Sequence, residues 1–443
     1  MAVRIGLNPA QAMSYACGFS VLDSTSHFLS SSSLYLSSFI FFCNLLCPLF
    51  YSKFLDNMPG TEPQPSFLGR ISIRRNQVMD VNYDSEQEDL ELFQRNVADR
   101  FTDLLSPMDD AASTETLLSI SWLRKLTDVF LCCEAEFKAV FIMGRDNSQI
   151  CKPPMDRLIP ELLDRAVKAL DICNAVSSGV ESVRQYEKFA GIAVSALEQK
   201  PMDDGQVKRA RKALNSLLTA MNIDDKEKDF KGADRTGSFG RRGNTNSAHK
   251  EQVLGYFRSL SMIVAKNWSA SKQIQAMCYN LVPPRGGEPT GLALPVYVIS
   301  CVMVLVMWVL VAAVPCQERS GLATHFQIPR HLTWAHSMLG LQEKIWEEWK
   351  KKEKKGSMGL LEEIQRMEKL TMSLIEFADG FQFPGETEKM EEVEAQVAEL
   401  AEICKKMEEG LVPLQTQIRE VFHRIMRSRA EVLEMLDNAS RVS

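Results

Sequence analysis

Along most of this chain the apolar side chains recur three and four residues apart, the spacing of one helical face. Leu90, Phe93, Val97, Phe101, Leu104 and Leu105 mark the first such stripe. Ser113 and Thr114 offer caps to a second, which runs through Leu117, Ile120, Leu123, Leu126, Val129, Phe130 and Phe137. After Pro153 and Pro154 comes a third, continuous or broken, from Leu158 to Phe189, closed by Pro201. Val207–Met221 predicts a short helix whose outer face carries Lys208, Arg209, Arg211 and Lys212. Glu251–Leu281, Leu341–Lys355 and Met390–Leu411 repeat the pattern, the last in a coiled-coil-like register. Pro413 is expected to break the chain before a final helix holding Ile418, Val421, Phe422, Ile425, Val432, Leu433 and Leu436. No alternating stripe bounded by hairpin turns occurs, so the class is all-α.

One stretch breaks the amphipathic rule. Leu292–Pro315, LALPVYVISCVMVLVMWVLVAAVP, contains no charge and is apolar all round. As a helix it would reach about 36 Å at ~1.5 Å per residue, enough for a hydrocarbon core of about 30 Å. Two readings follow for the face carrying Leu294, Val298, Val302, Leu305, Trp308 and Val311: a bilayer span, or the central helix of a bundle covered by its neighbours. Its eight valines would also suit buried strands, but the length favours a helix.

The expected architecture is an elongated multi-helix bundle with one long, wholly apolar helix and disordered N-terminal and central segments. Residues 1–57 are rich in serine and aromatics and nearly free of charge. The composition changes abruptly at Met58, so this extension reads as upstream of the working protein. Residues 58–84 form a basic-apolar arm in which Phe67 and Ile71 alternate with Arg70, Arg74 and Arg75, suited to an acidic partner or anionic lipid. Residues 85–223 make an N-terminal helical bundle. Residues 224–249, full of Gly, Asn, Ser and charge, make a flexible linker. Residues 250–443 form a C-terminal helical region containing the apolar helix 292–315.

Candidate chemistry is sparse. GSFGRRG in the linker lacks the GK[ST] ending of a phosphate loop and follows no strand. His325, His331 and His336 are six and five apart and do not share a helical face. Acidic pairs such as Glu362–Glu363 and Glu391–Glu392 read as solvated charge on the wet sides of helices. The eleven cysteines form no CxxC pair, and reduced thiols are expected. A net charge of -6 offers no basic field for nucleic acid. No catalytic residue, metal, cofactor or small-molecule substrate is expected.

Three runs carry a family resemblance: SFLGRISIRRNQV (Ser66–Val78), EDLELFQRNVADRFTDLL (Glu88–Leu105) and LPVYVISCVMVLVMWVLVAAVPCQ (Leu294–Gln317). They resemble the plant Roh proteins, related more distantly to the BYPASS developmental regulators. The resemblance extends from Met58 to the carboxyl terminus. It implies partnership with Exo-seventy-type subunits of the exocyst, the complex that tethers secretory vesicles, and a role in polarised secretion of cell-wall or mucilage polysaccharide. The alternative it leaves open is a BYPASS-like, membrane-associated regulator of a mobile root-derived signal.

Overall fold

The computed structural model describes residues 82–105, 116–142, 150–200, 202–221, 268–284, 291–316, 328–353, 359–381 and 387–442. The chain divides into two units, Met1–Gln77 and Val78–Ser443, and every described residue belongs to the second. The arm residues Phe67, Arg70, Ile71, Arg74 and Arg75, like residues 1–57 and 224–249, lie outside the described residues.

The described residues form an all-α fold without strands. Nine α-helices follow in order: α1 Asn82–Leu105, α2 Ile120–Ile142, α3 Met155–Leu197, α4 Asp204–Met221, α5 Ala270–Cys278, α6 Ala293–Ala313, α7 His336–Glu353, α8 Glu362–Gly380 and α9 Thr387–Val442. A single 3-10 turn, Thr333–Ala335, leads into α7.

The bundle is built around α6. Helices α1, α2, α3, α5 and α7 all pack against it. The long α9 lies along α3 and α2, while α4 and α8 pack on each other and on α3. The stripe read on α1 is buried as expected, with Leu105 part-buried at its end. Valine costs a helix a few tenths of a kcal/mol through lost rotamer freedom. Burying each such side chain returns about 1.5–3 kcal/mol, so packing decides and α6 is helical.

Local signals refine the boundaries. Ser119 caps α2, its Oγ accepting the Trp122 N–H at 3.2 Å; Ser113 and Thr114 lie outside the described residues. α4 opens with a reciprocal cap: Asp203 Oδ1 accepts the Gln206 N–H at 2.8 Å, and Gln206 Oε1 accepts the Asp203 N–H at 2.9 Å. α5 stops at Cys278 rather than Leu281, because Tyr279 is extended (φ −63°, ψ 135°) and Asn280 then takes a left-handed φ of 58°. The segment from Leu158 to Phe189 is one continuous helix; Pro160 falls in its second turn on the exposed side.

Pro413 does not break the chain. α9 runs through it for 56 residues. Leu411, Leu414 and Ile418 continue one buried stripe across the proline. Polar ties hold α9 to α2 on the far side: Arg124 Nε donates to Gln417 Oε1 at 3.1 Å and Arg424 Nη1 to Glu134 Oε2 at 3.3 Å. A proline costs a helix interior about 3 kcal/mol, less than the burial of these side chains returns at ~1.5–3 kcal/mol each.

Candidate functional site

Val298, Val302, Leu305 and Trp308 of α6 are fully buried, and only Leu294 and Val311 of the six singled out are part-exposed. α6 is long and apolar enough to cross a membrane, yet 94% of its most apolar window is covered by protein. Of its two hydroxyls, Ser300 Oγ is satisfied within the helix, donating to the Val296 carbonyl at 2.7 Å, whereas the buried Tyr297 hydroxyl has no hydrogen-bond partner. The Tyr297 ring meets Trp334 edge-on, with centroids 6.1 Å apart.

The carboxyl end of α6 is closed by a strap, residues 359–363. Leu360 N donates to Ala312 O at 2.8 Å and Leu361 N to Ala313 O at 3.0 Å, so two carbonyls that a helix end leaves open are taken by the chain itself. Glu362 N then donates to Leu118 O at 3.2 Å, joining the strap to the entrance of α2. Three glycines permit this closure. A Cβ on Gly359 (φ 63°) would lie 2.6 Å from Ala313 O, one on Gly179 2.7 Å from Pro315 O, and one on Gly410 2.7 Å from Ile120 Cγ2.

Glu363 sits in this junction and is buried, not on the wet side of α8 where sequence placed it. Its Oε1 accepts the Ile120 N–H at 3.0 Å, capping α2, and its Oε2 has no hydrogen-bond partner. Burial, only partly offset by its backbone hydrogen bonds, pushes its pKa up to about 7. The apolar surroundings dictate this: α2 begins Ile-Ser-Trp-Leu and α6 ends Ala-Ala, leaving the carboxylate little to solvate it.

At the other end of α6 a buried arginine that sequence reasoning passed over organises the turn after α5. Arg165 Nε donates to Met277 O at 3.0 Å and Nη2 to Tyr279 O at 3.3 Å, with Glu161 3.4 Å away. Its register was the available signal, since it occupies the buried face of α3 between Leu162 and Ala169. The turn it fixes presents Tyr279 at 75% exposure, the most exposed large hydrophobic among the described residues.

Two cavities adjoin α6. One of about 30 Å³ lies beside Ile299 and Met303, bordered by Glu134, Ser428 and Arg429. One of about 10 Å³ lies beside Val296 and Tyr297. Both are far below the few hundred Å³ of a typical small-molecule site. Among the described residues no group of three or more His, Cys, Asp or Glu could hold a metal. His331 and His336 are exposed, and His325 lies outside the described residues. Burial pushes the thiols of Cys133, Cys173, Cys301 and Cys404 up to about 12, so they are protonated and poor nucleophiles. Cys316, just past α6, is part-buried and its thiol is likewise pushed up to about 12.

Fold and site together define a helical bundle closed around an apolar core helix. The ROH1-like family model, described as "Protein ROH1-like", matches residues 58–436. Protein ROH1A of Arabidopsis thaliana is 58% identical over 409 residues, covering 87% of this chain and 99% of that protein. Protein ROH1D of the same plant is 43% identical over 401 residues, covering 85% and 98%. The chain therefore belongs to the plant Roh family. No solved structure matches it.

Proposed function

We propose that this chain is a non-enzymatic adaptor that binds Exo-seventy-type subunits of the exocyst and modulates polarised secretion of cell-wall or mucilage material. The observation that carries this reading is membership of the Roh family over residues 58–436. The protonated state of the buried Cys301 thiol in α6, a poor nucleophile, is consistent with a binding role. Tyr279 is the natural anchor for a partner, being an exposed aromatic, of the kind that dominates interface energetics, on a turn whose backbone carbonyl is held by Arg165.

The same reading treats α6 as the core of a bundle that reaches membranes through its partners. The strap bonds to Ala312 O and Ala313 O support this, since in a bilayer those carbonyls would lie at the headgroup level and need no protein donor. Alkaline extraction should then release the chain from plant membranes; retention in the pellet would instead make α6 a span.

Co-precipitation of the full chain with purified exocyst subunits tests the adaptor role. Retention at micromolar concentration is expected, weakened by Tyr279→Ala. No retention of any such subunit would sink the proposal. Loss-of-function plants with normal secretion and a root-derived growth arrest would favour the BYPASS-like alternative.

A further inference from the structure

Glu363 stands where the strap, the start of α2 and a tight passage of α9 come together. Its Oε1 receives the Ile120 N–H, and Ile120 is itself pressed by Gly410 of α9. The next residue back, Glu362, gives its N–H to Leu118 O, and Leu118 holds a left-handed φ of 62°. Leu360 and Leu361 hold the end of α6. One buried carboxyl thus sits on the segment that closes the driest helix of the fold, with one oxygen bonded and the other without a partner.

We propose that Glu363 is a proton-operated clasp: neutral, it keeps residues 359–363 closed over the carboxyl end of α6, and ionised, it lets that strap open. The proton passes between Oε2 and bulk water, and no other group changes.

The charged groups acting on Glu363 are few. On its own helix Glu362 repels the ionised form, and Glu362 is itself paired with Arg366 at 3.3 Å. From α9, Lys406 attracts the ionised form, but it also stands 4.0 Å from Glu402 and is about half exposed. The first turn of α2 has no acidic residue, and the end of α6 has no basic one. The hydrogen bond from Ile120 favours the carboxylate, as does the N-terminal dipole of α2. Desolvation outweighs both and moves the titration up to about 7.

Linkage fixes the sign. In the closed strap Glu363 binds its proton more tightly than in an open, solvated strap near the ordinary value of 4.5. Opening is therefore favoured as pH rises between those two values, and the gain levels off above the upper one. From pH 6 to pH 8 the opening equilibrium should rise about tenfold.

Hydrogen exchange of the full chain reads this directly at three amides, Leu360, Leu361 and Glu362, each bonded across the junction. After correction for intrinsic exchange, their protection should fall about tenfold from pH 6 to pH 8, while the Gln206 amide, at the exposed start of α4 where local fraying leaves Glu363 closed, keeps its protection. Glu363→Gln should abolish the fall. Lys406→Met should move it to higher pH by removing a cation that favours the carboxylate. Unchanged wild-type protection across this range would overturn the clasp even if the glutamine variant failed to fold. So would an equal fall at Gln206, an equal fall in Glu363→Gln, or an unmoved midpoint in Lys406→Met.

Discussion

Replacing Gly179 and Gly191 by alanine separates helix propensity from packing within a single helix. Both lie inside α3, so each substitution should gain about 1 kcal/mol of helix propensity. At Gly191 the nearest atom to a new Cβ is Glu187 Oε1 at 3.8 Å, an ordinary contact with a flexible side chain. At Gly179 the new methyl would meet Pro315 O and Val314 Cγ1, both at 2.7 Å. The carbonyl is backbone in the segment leaving α6, so relief requires that segment to shift. Overpacking of this kind costs about 1–3 kcal/mol. Gly191→Ala should therefore be stabilising by up to about 1 kcal/mol, and Gly179→Ala neutral to destabilising by about 2 kcal/mol. Urea unfolding followed by helical circular dichroism measures both, with the difference between them free of the propensity gain they share. If the two variants agree to within about 0.5 kcal/mol, the error expected of such comparisons, the close passage of α3 against Pro315 is wrong.

Trp308→Ala, at a fully buried position of the caged helix, should cost about 3–5 kcal/mol or prevent folding, as thermal unfolding will show; a mild effect would argue against the cage. Arg165→Ala should cost about 2–3 kcal/mol through the lost carbonyl bonds, and Arg165→Lys should not restore them, since an ammonium lacks the guanidinium fork; protease sensitivity of the turn at Tyr279 would report both. Wild-type stability should fall as pH rises from 4.5 to about 7, by up to about 3 kcal/mol from Glu363 alone, and then flatten; denaturation at fixed pH values in this range checks it, and Glu363→Gln should remove that slope. Alkylation of the native chain should modify the exposed Cys132 and Cys151 ahead of the buried Cys133, Cys173, Cys301 and Cys404; mass spectrometry of the labelled peptides would show the order.

The helices were legible wherever one face is apolar, because burial is what makes them. Leu90 through Leu104 and Val207 through Leu217 follow from spacing, and the unbroken α6 from its length. Three features were hidden because their cause is tertiary. Pro413 signals a stop locally, and only the partners of Leu411 and Leu414 on other helices explain why α9 continues. Glu363 looks like any first-turn acid until the strap folds it against Ile120. Arg165 looks like a surface charge, although its place on the α3 stripe betrays it. Whether α6 faces lipid or protein was likewise beyond the sequence, since a uniformly greasy helix satisfies either surrounding.

The way α6 is enclosed has a consequence for the chain as a whole. Helices α2 and α3 come from before residue 222, whereas α6 and α9, which they cover, come from after residue 267. Neither portion has a dry face it can hide by itself. Severing the backbone between Met221 and Ala270 should leave two fragments that stay married in solution and are insoluble when made apart. Co-expressed as separate polypeptides, they should find each other and rebuild the native bundle.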